Sequence, residues 1–164
     1  MAEPHDFRQY GIDPSKGRNY ENIAYVMALV YHLCEKRISR LLAPYEISPE
    51  QYNVLMALRF QEDGRGMTQT GIGRHLIVSP GSITRLVDKL SKRNLLTVVQ
   101  NPRNRRENIV KITEEGIALT ETIWPRYDAA LRDLVGRVPP QKQEELAAVL
   151  ADWFFKLQET KQDA

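Results

Sequence analysis

The chain has 164 residues, of which 42% are apolar and 27% charged, and a net charge of +2. This balance suits a globular protein of one domain, or one domain with an assembly extension, and excludes a disordered or fibrous chain. A single cysteine rules out an internal disulfide, and no apolar run reaches the length of a membrane span.

Residues 1–18 hold Pro4, Gly11, Pro14 and Gly17 and read as a flexible N-terminal arm, with no basic-then-apolar leader. A cytoplasmic protein with no membrane partner is expected. From Asn19 to Leu42, apolar residues including Ile23, Val26, Met27, Val30, Leu33 and Ile38 recur at the 3.6 period, which predicts a long helix ending before Pro44. Ser48-Pro49-Glu50-Gln51 has the form of a capping box and opens a short helix through Leu58. A polar loop, Gln61 to Gly66, follows. The next helix is expected from Thr68 to about Leu76, although Gly71 and Gly73 each weaken it by about 1 kcal/mol against alanine.

The clearest start signal lies at Ser79-Pro80, an N-cap followed by a proline at the first helical position. Ile83, Leu86, Val87 and Leu90 then form one face, while Ser82, Thr84, Arg85 and Lys89 form the other. Lys92 and Arg93 suit the negative end of the helix dipole, and Asn94 tolerates the left-handed turn that stops it. Leu95–Val99 and Ile109–Ile112 read as paired strands around Asn101-Pro102-Arg103-Asn104-Arg105-Arg106, a turn with three arginines.

Thr113-Glu114-Glu115 opens a further helix past Ile117, Ile123, Trp124 and Leu131, with a kink expected near Glu121 from Pro125. Pro139-Pro140 ends that segment. The last helix, about Gln141 to Leu157, is expected to bury Leu146, Val149, Leu150, Trp153, Phe154 and Leu157. The stripes at the two ends are too wide for one small module to cover, so a partner is needed.

Charge is unevenly spread. Thr68 to Lys111 holds nine Lys and Arg against Asp88 and Glu107, a local +7, which leaves −5 for the remainder. A basic module in an acidic body is the footprint of a nucleic-acid binder. A recognition helix in the major groove presents its first turns to base edges, which makes Ser82, Thr84 and Arg85 the base-side candidates. Ser79, Gly81 and Lys89 stand where phosphate contacts are expected. Thr68 and Gln69 are placed to meet a phosphate through side chain and backbone.

The segments MTQTGIGRHLIVSPGSITRLVDKLSKRNLL and NPRNRRENIVKITEEG resemble the MarR family of bacterial transcriptional regulators, and the likeness extends over roughly Asn19 to Leu157. It implies a mainly α fold with a small β-wing: a winged helix-turn-helix (residues 48–113) flanked by N-terminal (19–47) and C-terminal (114–164) dimerisation helices. It further implies a homodimer on an inverted-repeat operator in double-stranded DNA, with Arg103, Asn104, Arg105 and Arg106 of the wing at the neighbouring minor groove. A repressor released by a small, aromatic or phenolic effector is implied, with Tyr25, Tyr31, His32, Trp124 and Tyr127 as candidate pocket residues. The chain departs from the family's pattern at Asn101 and Asn104, where aspartates are usual, at Val98-Val99, where an arginine precedes the wing, and at Asn94, where glycine is usual.

One branch of the family senses organic peroxides through a cysteine in its first helix. Cys34 lies on the apolar stripe, later in its helix than that cysteine, and is expected to be an inert buried thiol; a thiol-based peroxide sensor is the competing reading. Two further roles stay open on the residues alone: a winged helix used for protein contacts, and a non-specific DNA-binding module. His5, His32 and His75 share no ligand spacing, and no nucleophile motif or phosphate loop occurs, so neither an enzyme, a metal nor a cofactor is expected.

Overall fold

The computed structural model describes residues 8–11, 17–60, 65–76, 80–102, 104 and 107–159. Most of the N-terminal arm, Ser79, Arg103, Arg105 and Arg106 lie outside the described residues. Two compact units divide the chain, Met1–Thr120 and Glu121–Ala164.

In the first unit α1 (Asn19–Leu42) passes through a short 3-10 turn, Ala43–Tyr45, to α2 (Pro49–Arg59). The predicted capping box is formed. The Ser48 hydroxyl accepts from the Gln51 N–H at 3.2 Å, and the Gln51 side chain accepts from the Ser48 N–H at 2.9 Å. Such reciprocal bonds satisfy two N–H groups that a helix start otherwise leaves orphaned. Then follow β1 (Met67–Thr68), α3 (Gln69–His75), α4 (Pro80–Lys92), β2 (Leu96–Gln100) and β3 (Asn108–Ile112).

The sheet has three antiparallel strands in the order β1-β3-β2. The sequence pattern predicts only two of them. Met67 pairs with Val110 and Thr68 with Ile109, so the entry to α3 is itself a strand. Gly66 permits this: its φ is +80°, and a Cβ there would stand 2.4 Å from the Val110 carbonyl oxygen. β2 and β3 pair in continuous register from Leu96 with Ile112 to Gln100 with Asn108.

Leu42, Tyr52, Val54, Leu55, Ile72, Ile83, Val87, Leu90, Leu96 and Val110 form the fully buried centre of this unit. They come from both ends of the helix-turn-helix, from α2 and from the sheet, so every element that frames α4 is packed against a common core. At the rim of that core Thr120 is buried; its hydroxyl accepts from the Arg59 guanidinium at 2.7 Å and donates to the Ile117 carbonyl at 2.7 Å.

Helix α5 (Glu114–Val135) begins in the first unit and runs without a break through Pro125. Pro125 therefore does not end the helix: the turns on both sides of the residue that lacks an N–H continue it. The second unit continues into α6 (Pro140–Glu159). Here an expectation is corrected. No residue of α6 is buried; Leu146, Val149, Leu150, Phe154 and Leu157 are exposed and Trp153 half-buried. Likewise α1 buries only Ile38 and Leu42 of its 24 residues, with Tyr31 68% and Leu33 63% exposed. The stripes exist, and their side chains stand exposed among the described residues. Among the described residues, no helix is long and apolar enough to cross a membrane.

Gly116, in the first turn of α5, faces the start of β2 so closely that a Cβ would lie 2.4 Å from the Leu95 carbonyl oxygen. Two effects oppose each other in Gly116→Ala. Helix propensity favours alanine by about 1 kcal/mol. Backbone overlap must outweigh it, because the Leu95 carbonyl is not a flexible side-chain end. Urea unfolding is expected to show a net loss of about 2 kcal/mol or more; a stabilised variant would mean that α5 shifts freely against β2.

Candidate nucleic-acid interface

Helix α4 is amphipathic in the way the sequence spacing requires. Ile83, Val87 and Leu90 are buried and Leu86 is half-buried, while Thr84, Arg85, Asp88, Lys89 and Lys92 are exposed. Thus three cations and one carboxylate share the solvent face. Ser82, expected on that face, is half-buried at its margin. Gly81 sits in the first turn of the helix.

The far end of α4 is fixed by its own backbone. Leu95 N–H donates to the Leu90 carbonyl at 3.0 Å, Asn94 N–H donates to the Ser91 carbonyl at 2.9 Å, and Asn94 has φ +59°. This is the paired bonding of a Schellman stop, which satisfies carbonyls the helix end would leave open. Arg93 has a role that its sequence position does not reveal. Expected to complement the helix dipole, it in fact donates through Nη1 to the Glu46 carbonyl and through Nη2 to the Tyr45 carbonyl at 3.0 Å. One guanidinium therefore ties the end of α4 to the turn between α1 and α2. Its partners stand 47 and 48 residues away in sequence, with no local pattern to announce them.

The start of α3 is capped by Thr68, whose hydroxyl accepts from the Gly71 N–H at 3.0 Å. Gln69 follows, half-buried, and its Oε1 accepts a hydrogen bond from the Thr84 hydroxyl of α4 at 3.3 Å. Two of the candidates named from sequence are thus brought together. Arg85 and Lys89 are exposed on α4, as Thr84 is, and stand four residues apart, the spacing that aligns two side chains along a helix.

Beyond β2 the hairpin closes on itself. Asn101 N–H donates to the Glu107 carbonyl at 3.0 Å, Asn104 N–H to the Asn101 carbonyl at 3.2 Å, and Glu107 N–H to the Asn104 carbonyl at 3.0 Å. The Asn101 side-chain amide also donates to the Glu107 carboxylate at 3.4 Å. Asn101 thereby engages the acidic residue of the wing, and Asn104 is exposed at the tip. Val98 and Val99 are both exposed on β2.

The five effector candidates fall in both units. Tyr25, Tyr31 and His32 are exposed on α1. In the second unit, Trp124 and Tyr127 stack with ring centroids 6.2 Å apart, and burial pushes the Tyr127 phenol above its ordinary pKa. A shallow depression of about 270 Å³ in that unit is lined by Leu131, Arg132, Val135, Gly136 and Gln143, and by none of the five. Cys34, expected to be buried, is half-buried.

Comparison with known proteins agrees with this geometry. A model of the MarR family matches residues 45–107, which span α2, the helix-turn-helix and the wing as far as the end of its turn, before β3. The regulator MhqR of Bacillus subtilis is 27% identical over 125 residues, covering 76% of this chain and 84% of that protein. Among solved structures, MepR of S. aureus in complex with DNA superposes with a TM-score of 0.73 at 22% identity, covering 81% of this chain and 96% of that one. BpsR of Bordetella bronchiseptica, whose DNA binding is regulated by 6-hydroxynicotinic acid, also gives 0.73, at 20% identity, covering 80% and 98%. The matched segment lies on the winged helix-turn-helix and the likeness of fold extends to most of the chain, so this protein is similar to the MarR family of transcriptional regulators over its winged module and shares the fold of its solved members.

Proposed function

We propose that the protein is a homodimeric, sequence-specific transcriptional regulator that reads an inverted-repeat operator with two copies of α4. It acts in the cytoplasm as a repressor released by a small ligand. The observation that carries this reading is the solvent face of α4, where Thr84, Arg85, Lys89 and Lys92 project from a helix locked at its C-terminal end. Arginine matches the paired acceptors of guanine in the major groove, whereas lysine is suited to phosphate as a point charge. The exposed apolar side chains of α1 and of α6 support assembly with a second copy. A ligand enters by analogy with the relative regulated by 6-hydroxynicotinic acid; Trp124 and Tyr127 offer it an aromatic pair.

The direct test is selection of bound duplexes from a random DNA library with the purified protein. Enrichment of an inverted repeat, with half-sites about one helical turn apart, is expected. Binding without enrichment would reduce the protein to a non-specific DNA binder, and no binding at low salt would favour a protein-contact role.

Arg85 and Lys89 are expected to separate cleanly on the enriched duplex. Arg85→Ala should relax preference at one base position per half-site, a loss of about 1–3 kcal/mol of discrimination there. Lys89→Ala should weaken operator and random DNA alike and lower the salt slope by about one. Equal losses on both DNAs for Arg85→Ala would make it a phosphate contact. For Cys34, treatment with an organic peroxide should leave DNA binding of the wild type and of Cys34→Ser unchanged; a response that Cys34→Ser abolishes would establish thiol sensing.

A further inference from the structure

The hydrogen bond between Thr84 and Gln69 determines what Thr84 can offer a base. A threonine hydroxyl has one donor and two acceptor lone pairs. Free to rotate, it meets donor and acceptor edges equally, and so discriminates poorly. Here the single donor is committed: the Thr84 hydroxyl donates to Gln69 Oε1 at 3.3 Å. What remains on Thr84 is a pair of acceptor sites and a methyl group. Both residues belong to the same compact unit, and Thr84 is exposed on α4, as Arg85 and Lys89 are.

We propose that Gln69 is a specificity-determining positioning residue, acting through Thr84 to make it an acceptor-only, methyl-bearing reader that excludes guanine at the base it faces. The inference rests on the DNA-reading role of α4. In the major groove guanine offers only the acceptors N7 and O6, whereas adenine and cytosine offer an exocyclic amine and thymine a methyl group. An acceptor-only hydroxyl set against N7 and O6 places lone pairs against lone pairs. Against an amine it accepts a bond, and its methyl can pack on that of thymine. Gln69 contributes this from the neighbouring helix α3 without itself contacting the base. Its role therefore differs from the phosphate contact that its place at the start of α3 suggests.

The experiment compares duplexes selected from a random library by the wild type, Gln69→Ala, Thr84→Ser, Thr84→Val and the Gln69→Ala/Thr84→Val double variant. The position Thr84 faces is the one whose base profile changes in Thr84→Val. At that position the wild type and Thr84→Ser should deplete guanine by roughly tenfold, within the range of single-base discrimination. Gln69→Ala frees the hydroxyl as a donor and should bring guanine back to within about threefold of the other bases, a relaxation well inside that range. In the Thr84→Val background, Gln69→Ala should change nothing further at that position. The outcomes separate the two levels. A wild type that enriches no site overturns the reading of α4 and this inference with it. An enriched site with guanine still excluded by Gln69→Ala, or an effect of Gln69→Ala that persists in Thr84→Val, overturns the inference alone. So does a uniform loss of affinity across all sequences, the signature of a phosphate contact. The pair lies at the surface, so the melting temperature should be the same for all five proteins, and a lowered one would assign the bond to stability instead.

Discussion

Two backbone carbonyls, those of Asn94 and Leu95, hold the reading module together. Leu95 closes α4 through its N–H on Leu90, and its carbonyl accepts from the Thr113 N–H at 3.2 Å. The Asn94 carbonyl accepts from the Thr113 hydroxyl at 2.8 Å, and that hydroxyl in turn accepts from the Gly116 N–H at 3.0 Å. The end of α4, the start of β2, the end of β3 and the first turn of α5 therefore meet at one joint. Its geometry needs a residue at positive φ at 94 and one without a side chain at 116. Asparagine meets the first requirement because its short polar side chain tolerates the left-handed region.

Around that joint the polar ties and the apolar core act in the same sense. Ile83, Val87 and Leu90 bury one side of α4. Arg93 holds its far end to the turn after α1, across the surface rather than through the core. Burial fixes which face of the helix is inward; the guanidinium bonds limit how the helix slides along that face. For the base-reading role proposed for α4, the second restraint matters as much as the first, because positional errors of a fraction of an ångström undo a bidentate contact.

Much of this arrangement is legible in the sequence where the signal is local. The span of α1, the capping box at Ser48 and the left-handed stop at Asn94 each follow from residues within a few positions of one another. What escapes is non-local. β1 is two residues long, too short for any alternation, and its partner strand lies more than 40 residues on. Arg93 and its carbonyls, and Gln69 and Thr84, meet only after the helices have packed. The stripe on α6 is plain in the spacing of its leucines and aromatics, but periodicity records that a face is apolar, not which surface covers it.

The hairpin beyond Gln100 and Asn108 has a further consequence. Its turn is closed by bonds among Asn101, Asn104 and Glu107 themselves, outside the ladder that joins β2 to β3. Lengthening such a turn leaves the register of the strands behind it intact, and doubling a loop costs only about 0.6 kcal/mol in closure entropy. The length of the hairpin can therefore drift in evolution almost independently of the joint that holds α4. Related chains of this architecture can change the length of the hairpin by inserting or deleting residues beyond Asn101, without re-solving the packing of α4.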